Sequence, residues 1–317
     1  MSPVDPEIQS MLDALTAART DPPARVTLEE SRGIYRQQYV EMSRGPDGQV
    51  AEEILPLPGA ATDVTLTLYR PAGASGPLPL ILYLHGGGFV LGDAKAYAKQ
   101  SARIAENCNA IVAFLDYRRA PEHPFPAALD DTLLAARWLT ENAAAIGADA
   151  GRFALMGDSA GGNLAIAAMF QFRAEKHFKT VTLLYPVTDF RPYVGLADHS
   201  RSDQKYATGY YLERPAMEYF GRSYLGTETA LAADPRVSPL AAVDVSGLPP
   251  VAIYGGEYDL LRDQGRDFAD RLKAADNIVS YRCFDGLIHN FMQQAGISKA
   301  SDEAFRIVCQ ETKTALA

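Results

Sequence analysis

The hydrophobic residues of the chain change pattern near residue 78. From there on, short continuous apolar runs alternate with segments of helical periodicity. This alternation predicts an α/β fold, in which a parallel sheet carries helices on both faces. The predicted strands are Leu78 to Leu84, Ala110 to Leu115, Phe153 to Met156, Val181 to Leu184, Val251 to Tyr254 and Ile278 to Phe284.

The region before residue 78 begins with two helical patterns. Asp5 and Pro6 predict the start of a first helix that ends before Pro22-Pro23, and Thr27 and Glu30 have the spacing of a capping box for a second. Each helix has one apolar stripe: Ile8, Met11, Leu12 and Leu15 in the first, Tyr35, Tyr39 and Met42 in the second. Because an apolar face must be buried, we expect these helices to cover the core or to form part of a lid.

Two further strands are predicted between these helices and the parallel sheet, at Val50 to Leu57 and Val64 to Tyr69. Apolar and polar residues alternate in the second, which indicates antiparallel edge strands.

The stretch from Phe190 to Tyr224 has no strand pattern but is rich in aromatic residues. It contains eight of them in 35 residues, against 9% for the whole chain. Insertions of this length are usually lids or binding loops. The alternative is a helical excursion whose tyrosines pack on the main domain, and the two interpretations are compatible.

The strand Phe153 to Met156 leads into a turn with the spacing of a catalytic nucleophile. Gly157-Asp-Ser159-Ala-Gly161 fits G-x-S-x-G and is followed by a helical segment. A serine at such a junction projects its hydroxyl out of the sheet, and the glycines remove Cβ atoms that would clash. The motif also arises by chance in a chain with 25 glycines. Ser159 is therefore assigned as a nucleophile only if a base, a carboxylate and oxyanion donors accompany it.

A glycine-rich loop, His85-Gly-Gly-Gly-Phe89, follows the strand Leu78 to Leu84 directly. Consecutive glycines leave backbone N–H groups unobstructed, as an oxyanion hole requires. The alternative, a phosphate-binding loop, would need a Gly-Lys-Ser/Thr ending or G-x-G-x-x-G spacing, and neither is present. We predict that the N–H groups of Gly87, Gly88 and Ala160 are the oxyanion donors.

The base is assigned by elimination among the five histidines. His289 follows the last predicted strand, after a turn expected at Asp285-Gly286, which places it at the sheet edge where the Ser159 turn also points. The alternative is a loop histidine without a role.

The carboxylate partner is sought in the loop after the preceding strand, which contains Glu257, Asp259 and Asp263. Asp263 is predicted to cap a helix from Gln264 to Ala275. Asp259 is therefore the predicted partner of His289.

Five motifs together resemble the hormone-sensitive lipase family (family IV) of bacterial carboxylesterases, in the α/β-hydrolase superfamily. They are His85-Gly-Gly-Gly-Phe89, Asp116-Tyr-Arg-Arg-Ala-Pro-Glu-His-Pro-Phe-Pro-Ala127, Gly157-Asp-Ser-Ala-Gly-Gly162, Asp259-Leu-Leu-Arg-Asp263 and Asp285-Gly-Leu-Ile-His289-Asn-Phe291. The resemblance runs from about Leu78 to the C terminus, and the order serine, aspartate, histidine is that of α/β-hydrolases. It implies an α/β-hydrolase fold with a mostly parallel sheet of about eight strands and a helical cap.

The resemblance also implies a division of the chain. Residues 1–45 would form the N-terminal part of the cap, 46–186 the first part of the core, 187–233 the cap insertion and 234–317 the second part of the core. Three positions depart from the family pattern: Leu260 where proline is usual, Arg119 where leucine is common and Asn290 where glycine is common. The residues expected to contact the substrate are Phe89, Asp158, Tyr210, Tyr211, Leu260 and Ile288.

Composition restricts the partners. A formal net charge of -9 and a pI near 5.1 disfavour binding to nucleic acid or to anionic membranes. The N terminus lacks a signal-peptide pattern and no apolar run spans a membrane, so we expect a cytoplasmic protein. The cysteines at 108, 283 and 309 are widely spaced, which predicts ordinary buried thiols and no metal or other cofactor.

The residues and the resemblance together predict a carboxylesterase that acts on a small-molecule ester by two-step acyl transfer. The family implies short acyl chains, and the tyrosine-rich insertion favours aromatic or bulky esters. The alternatives are an amide or lactone hydrolase with the same triad, and a ligand-binding receptor such as the plant gibberellin receptor, which resembles the family but lacks the catalytic histidine. His289 argues against a receptor. Family members often form dimers, so the resemblance implies a homodimer.

Overall fold

One eight-stranded sheet organises the computed structural model, which describes residues 2–18, 26–61 and 63–317. Its strands are β1 (Val50–Pro56), β2 (Thr65–Pro71), β3 (Leu78–Leu84), β4 (Ile111–Asp116), β5 (Ala148–Asp158), β6 (Thr180–Leu184), β7 (Val251–Tyr258) and β8 (Val279–Ile288). They lie in the order β1-β2-β4-β3-β5-β6-β7-β8. The pairs β1/β2 and β2/β4 are antiparallel, and the other neighbours are parallel. Every residue of β3 and β6 is buried, as expected for central strands covered on both faces.

Helices connect and cover these strands. In the described part of the chain they are α1 (Pro6–Ala17), α2 (Leu28–Met42), α3 (Ala94–Cys108), α4 (Ala127–Asn142), α5 (Ala160–Gln171), α6 (Arg201–Lys205), α7 (Arg214–Leu225), α8 (Arg262–Ala274) and α9 (Lys299–Leu316). Short 3₁₀ turns lie at Arg191–Val194, Thr229–Ala233, Pro239–Ala241 and Gln293–Gly296. Helices α3 and α9 pack together against the sheet, and α4 and α5 form a second pair. The predicted α/β-hydrolase architecture is confirmed.

Two strand predictions need correction. The second strand, β2, is not an edge strand, because β1 pairs with one side of it and β4 with the other. The turn expected at Asp285-Gly286 is absent, since β8 continues to Ile288. Gly286 adopts a positive φ of 72° inside this strand, and its N–H donates to the Glu257 carboxylate. The glycine therefore accommodates an irregularity in the strand and does not end it.

The helix ends were predicted with mixed success. The Asp5 side chain caps α1, and the capping box of Thr27 and Glu30 is present at α2. The predicted stop at Pro22-Pro23 lies outside the described residues. Asp263 is not a helix cap, because α8 already begins at Arg262; its carboxylate accepts a hydrogen bond from the backbone N–H of Ser202 instead.

The stretch from Phe190 to Tyr224 contains no strand, as predicted. No helix of the described residues is long and apolar enough to cross a membrane. Within the same residues, no cluster of three or more His, Cys, Asp and Glu side chains could hold a metal ion. Cys108 and Cys309 are buried free thiols, whereas Cys283 is only half-buried.

Candidate active site

Ser159 lies at the turn between β5 and α5 in a strained backbone conformation. Its φ of 54° and ψ of -115° are outside the regions that L residues normally occupy. A Cβ on Gly161 would overlap the backbone carbonyl of Leu84, and one on Gly157 would overlap the backbone of Gly161. The turn therefore requires glycine at both positions, which is the physical basis of the G-x-S-x-G spacing.

The structure brings Ser159, His289 and Asp259 into one hydrogen-bonded line. His289 Nε2 lies 3.0 Å from Ser159 Oγ, and His289 Nδ1 lies 2.7 Å from Asp259 Oδ2. The other carboxylate oxygen of Asp259 accepts from the backbone N–H of Leu261 at 2.8 Å. When Nδ1–H donates to the carboxylate, Nε2 is left free to accept the serine proton. The arrangement can therefore activate a hydroxyl nucleophile.

The glycine-rich loop lines the same cavity as His289. Gly87 and Gly88 line the same cavity as Ser159, with positive φ values of 100° and 63°. A Cβ on Gly87 would lie 2.6 Å from the carbonyl oxygen of Leu91, so this position also requires glycine. The N–H groups of Gly87 and Gly88 have no hydrogen-bond acceptor among the described residues. Ala160 opens α5, where an N–H has no partner within the helix, so all three groups are available to an oxyanion.

Asp158 is completely buried behind the nucleophile turn and does not reach the cavity, which corrects its prediction as a substrate contact. Its carboxylate accepts hydrogen bonds from four groups: the Tyr83 hydroxyl at 2.8 Å, the Tyr97 hydroxyl at 3.0 Å, the Gly86 N–H at 3.0 Å and the Gln293 amide at 3.3 Å. Burial raises the pKa of Asp158 to about 6, and the hydrogen bonds of the two tyrosines act in the opposite direction. The carboxylate thus connects the nucleophile turn to the start of the glycine loop.

His85, the first residue of the glycine loop, has a packing role. Its ring stacks on Tyr117 with 4.1 Å between the ring centroids, and Nδ1 lies 2.8 Å from the Gly86 carbonyl. Complete burial lowers the pKa of His85 to about 3, so the ring is neutral. This agrees with the elimination of His85 as the base.

A cavity of about 370 Å³ opens above Ser159. Its wall opposite the sheet comes from two distant parts of the chain. Leu12, Leu15, Tyr35 and Gln38 belong to the N-terminal helices, while Tyr211, Leu212, Met217 and Phe220 belong to the segment between β6 and β7. The cavity is therefore mostly apolar, with a few polar groups near its catalytic end.

Of the six residues expected to contact substrate, the structure places only Tyr211 on the cavity wall. Phe89 is buried and stacks on Tyr224 with ring centroids 3.7 Å apart, and Tyr210 stacks on Tyr258 at 5.5 Å. Leu260 and Ile288 are buried in the core. None of these four residues lines the cavity, which corrects the predictions for them.

Several lining residues were not predicted. Tyr35 belongs to the apolar stripe of α2, and Phe190 and Phe220 belong to the aromatic-rich segment, so both patterns carried a usable signal. No sequence pattern marked Gln38 and Val187 as lining residues, because their position depends on how distant segments pack.

Asn290, which stands where the family commonly has glycine, follows His289 in a left-handed conformation with φ of 66°. Asparagine is one of the few residues with a side chain that tolerate this region. Its amide donates to the hydroxyl of Tyr39, and the hydroxyl of Tyr211 lies beside both side chains. Burial raises the pKa of Tyr211 to about 12, and the neighbouring side chains of Asn290 and Tyr39 oppose that rise. The departure from glycine thus adds a polar cluster beside His289.

The other two departures leave the triad geometry intact. The Leu260 carbonyl accepts from Ser202 Oγ at 2.8 Å, which ties the Asp259 loop to α6. The Arg119 guanidinium donates to the carbonyl of Gly92.

Comparison with known proteins adds independent findings. Residues 81–293 match the family model of the alpha/beta hydrolase fold. The chain is 34% identical over 296 residues to the carboxylic ester hydrolase LipN of Mycobacterium tuberculosis, a match that covers 91% of this chain and 77% of that protein. It is 35% identical over 295 residues to an ethyl acetate hydrolase of Pseudomonas putida, with 87% of each chain covered.

Among solved structures, the hyperthermophilic esterase of the archaeon Pyrobaculum calidifontis superposes with a TM-score of 0.88. The two chains are 32% identical, and the match covers 99% of this chain and 100% of the other.

Proposed function

The chain belongs to the α/β-hydrolase fold family and is a carboxylesterase similar to the hormone-sensitive lipase type, and we propose that Ser159, His289 and Asp259 are its catalytic triad. The observation that carries the proposal is the hydrogen-bonded line from Asp259 through His289 to Ser159 at the base of the cavity. We further assign Gly87, Gly88 and Ala160 as the oxyanion donors.

In the first step, Ser159 Oγ attacks the ester carbonyl carbon while His289 Nε2 takes the hydroxyl proton. Asp259 holds the imidazole in the correct tautomer and stabilises its positive form. The carbonyl oxygen becomes an oxyanion and accepts hydrogen bonds from the three backbone N–H groups. Collapse of this intermediate breaks the ester C–O bond, and His289 returns the proton to the departing alcohol.

In the second step, water attacks the acyl-enzyme. His289 takes a proton from this water, a second oxyanion forms in the same hole, and the carboxylic acid leaves as Ser159 recovers its proton. No step needs a metal or another cofactor.

We propose that the substrates are esters with short acyl chains and an aromatic or bulky group. A cavity of about 370 Å³ with tyrosine and phenylalanine on its walls supports this size and character. One relative is named for the hydrolysis of ethyl acetate, a short-acyl ester. An amide or lactone hydrolase would use the same residues, but no feature of the cavity favours either. The grouping of His289 with Ser159 speaks against a non-catalytic receptor.

The division into a core and a cap is part of the same proposal. Helices α1 and α2 and residues 187–220 contribute to the cavity wall opposite the sheet, as a cap would. A homodimer and a cytoplasmic location remain predictions.

Hydrolysis of p-nitrophenyl esters from acetyl to palmitoyl, by the wild type and by Ser159→Ala, tests the proposal. We expect wild-type kcat/KM to peak at short chains, and the variant to lose about 10³- to 10⁶-fold in kcat. Ser75→Ala, in an exposed loop, is the matched control and keeps wild-type activity. A Ser159→Ala enzyme that stays folded by circular dichroism and retains activity would contradict the triad.

A further inference from the structure

Triad geometry gives a bound ester a defined orientation. The carbonyl oxygen faces the N–H groups of Gly87 and Gly88, and the oxygen of the departing alcohol comes within hydrogen-bond distance of His289 Nε2, which protonates it. The alcohol part of the ester therefore extends from the His289 side of the cavity. We therefore expect side chains on the wall beside His289 to contact the alcohol and not the acyl chain.

The wall beside His289 carries a polar cluster formed by Asn290, Tyr211 and Tyr39. Asn290 follows His289 directly, and both Asn290 and Tyr211 line the cavity. The Asn290 amide donates to Tyr39, and the Tyr211 hydroxyl lies beside both. Tyr39 is itself fully buried, so it fixes the other two side chains from behind. The cluster is thus held rigidly, as a specificity element must be.

Hydrogen-bonding capacity remains unused in this cluster. A carboxamide has two N–H donors and two acceptor lone pairs, and the bond to Tyr39 accounts for one of these four. Gln38 of α2 lines the same cavity, and its carboxamide has no hydrogen-bond partner among the described residues. Polar groups in an apolar cavity need a partner, which water supplies in the free enzyme and a ligand supplies in the complex.

We propose that Asn290, Tyr211 and Gln38 form a polar subsite for the alcohol part of the ester, and that the preferred alcohols carry a hydroxyl group. A hydroxyl both donates and accepts, so it matches a carboxamide and a phenol, whereas an alkyl group leaves them unpaired. A site built to hydrogen-bond a substrate hydroxyl discriminates against the analogue that lacks it. This inference rests on the proposed function, because the triad sets the direction of the alcohol.

The test compares two esters that differ only at the end of the alcohol. In 2-hydroxyethyl acetate a hydroxyl replaces the terminal methyl of propyl acetate, and the acyl group is the same. We expect wild-type kcat/KM, measured by pH-stat, to favour the hydroxy ester by roughly 3- to 10-fold. The ratio should fall towards one in Asn290→Gly and in Tyr211→Phe. Glycine tolerates the left-handed backbone at position 290, so this variant removes the carboxamide and leaves the position of His289 undisturbed.

Tyr219→Phe is the matched control, because it removes a phenolic hydroxyl from an exposed position of α7 that does not line the cavity. Its ratio should equal that of the wild type. Gln38→Leu provides a third variant in α2, independent of folding defects near His289.

Three results would overturn the subsite: a wild-type ratio of one or less, an unchanged ratio in all three folded variants, or hydrolysis of p-nitrophenyl acetate without hydrolysis of either alkyl acetate. Failure of the proposed function looks different, because the wild type would then be inert towards p-nitrophenyl esters as well, or Ser159→Ala would remain active.

Discussion

The cavity has two walls that are held in place by different kinds of interaction. The sheet-side wall, which carries Ser159, His289 and the loop 85–89, depends on backbone geometry, with glycines at positions where a Cβ would meet backbone atoms. The helical wall, contributed by α1, α2 and residues 187–225, depends on side chains. Arg32 of α2, for example, pairs with Glu122 at 2.7 Å and donates to the carbonyl of Val90 at 2.9 Å. Adding a single Cβ atom to one of these glycines should therefore abolish catalysis by the sheet-side wall. Side-chain changes in the helical wall should instead adjust substrate specificity.

Gly161→Ala is the most damaging change that this contrast predicts. The new Cβ would overlap backbone carbonyl groups of Leu84 and His85, which cannot move aside without distorting the sheet. We expect a destabilisation of about 3 kcal/mol or more and a loss of at least about 100-fold in kcat/KM. Thermal unfolding measures the loss of stability, and hydrolysis of p-nitrophenyl acetate measures the loss of kcat/KM.

Gly33→Ala is the control for that substitution. Gly33 lies within α2, and its Cβ would meet no atom within 4 Å, so alanine should be neutral or slightly stabilising. A Gly161→Ala enzyme with the stability and activity of Gly33→Ala would show that the backbone requirement on the sheet side is not real.

The same contrast explains what the sequence could reveal. The nucleophile turn and the glycine loop were predictable because their backbone needs specific residues at fixed spacing, and that spacing is visible in the chain. Ser159, Asp259 and His289 come together because each follows a strand of one sheet. The role of Asn290 was not visible, because its partner Tyr39 is 251 residues away in the sequence. Asp263 was misassigned for a similar reason, since its partner Ser202 belongs to another segment.

Asp158→Asn tests how the sheet-side wall is held from behind. Asparagine would present an N–H₂ group to four donors that now converge on a carboxylate, among them the Gly86 N–H. The glycine loop would lose an acceptor and shift by a fraction of an ångström. We expect kcat to fall about 10- to 100-fold, with a smaller change in KM, because the loop contacts the oxyanion more strongly than the ground state. A larger change in KM than in kcat would argue against a loss of oxyanion stabilisation by the glycine loop.

The pH dependence of stability provides a second measurement on Asp158→Asn. Burial raises the pKa of Asp158 to about 6 in the folded protein, above the value of 3.8 for a free side chain. The folded state therefore favours the protonated form, and this contribution to stability is complete below pH 3.8 and is lost as the pH rises through 6. Between pH 5 and 7.5 the wild type should lose stability relative to the variant. A constant difference in urea unfolding free energy across that range would contradict the shifted pKa.

Phe220→Ala addresses the helical wall and should have the smallest effect on catalysis. The Phe220 ring lies directly against Gly88 and lines the cavity, so it limits the space beside the reacting carbonyl group. Its removal should raise kcat/KM for p-nitrophenyl hexanoate relative to the acetate by about 10-fold or more, since accommodating even one additional methylene in an apolar pocket contributes about that factor. Tyr219→Ala, the adjacent and more exposed ring, should leave the acyl-chain profile unchanged. If Phe220→Ala instead lowered activity on all esters equally, the ring would be holding the oxyanion loop in place, and the helical wall would share the structural role that the glycines have on the sheet side.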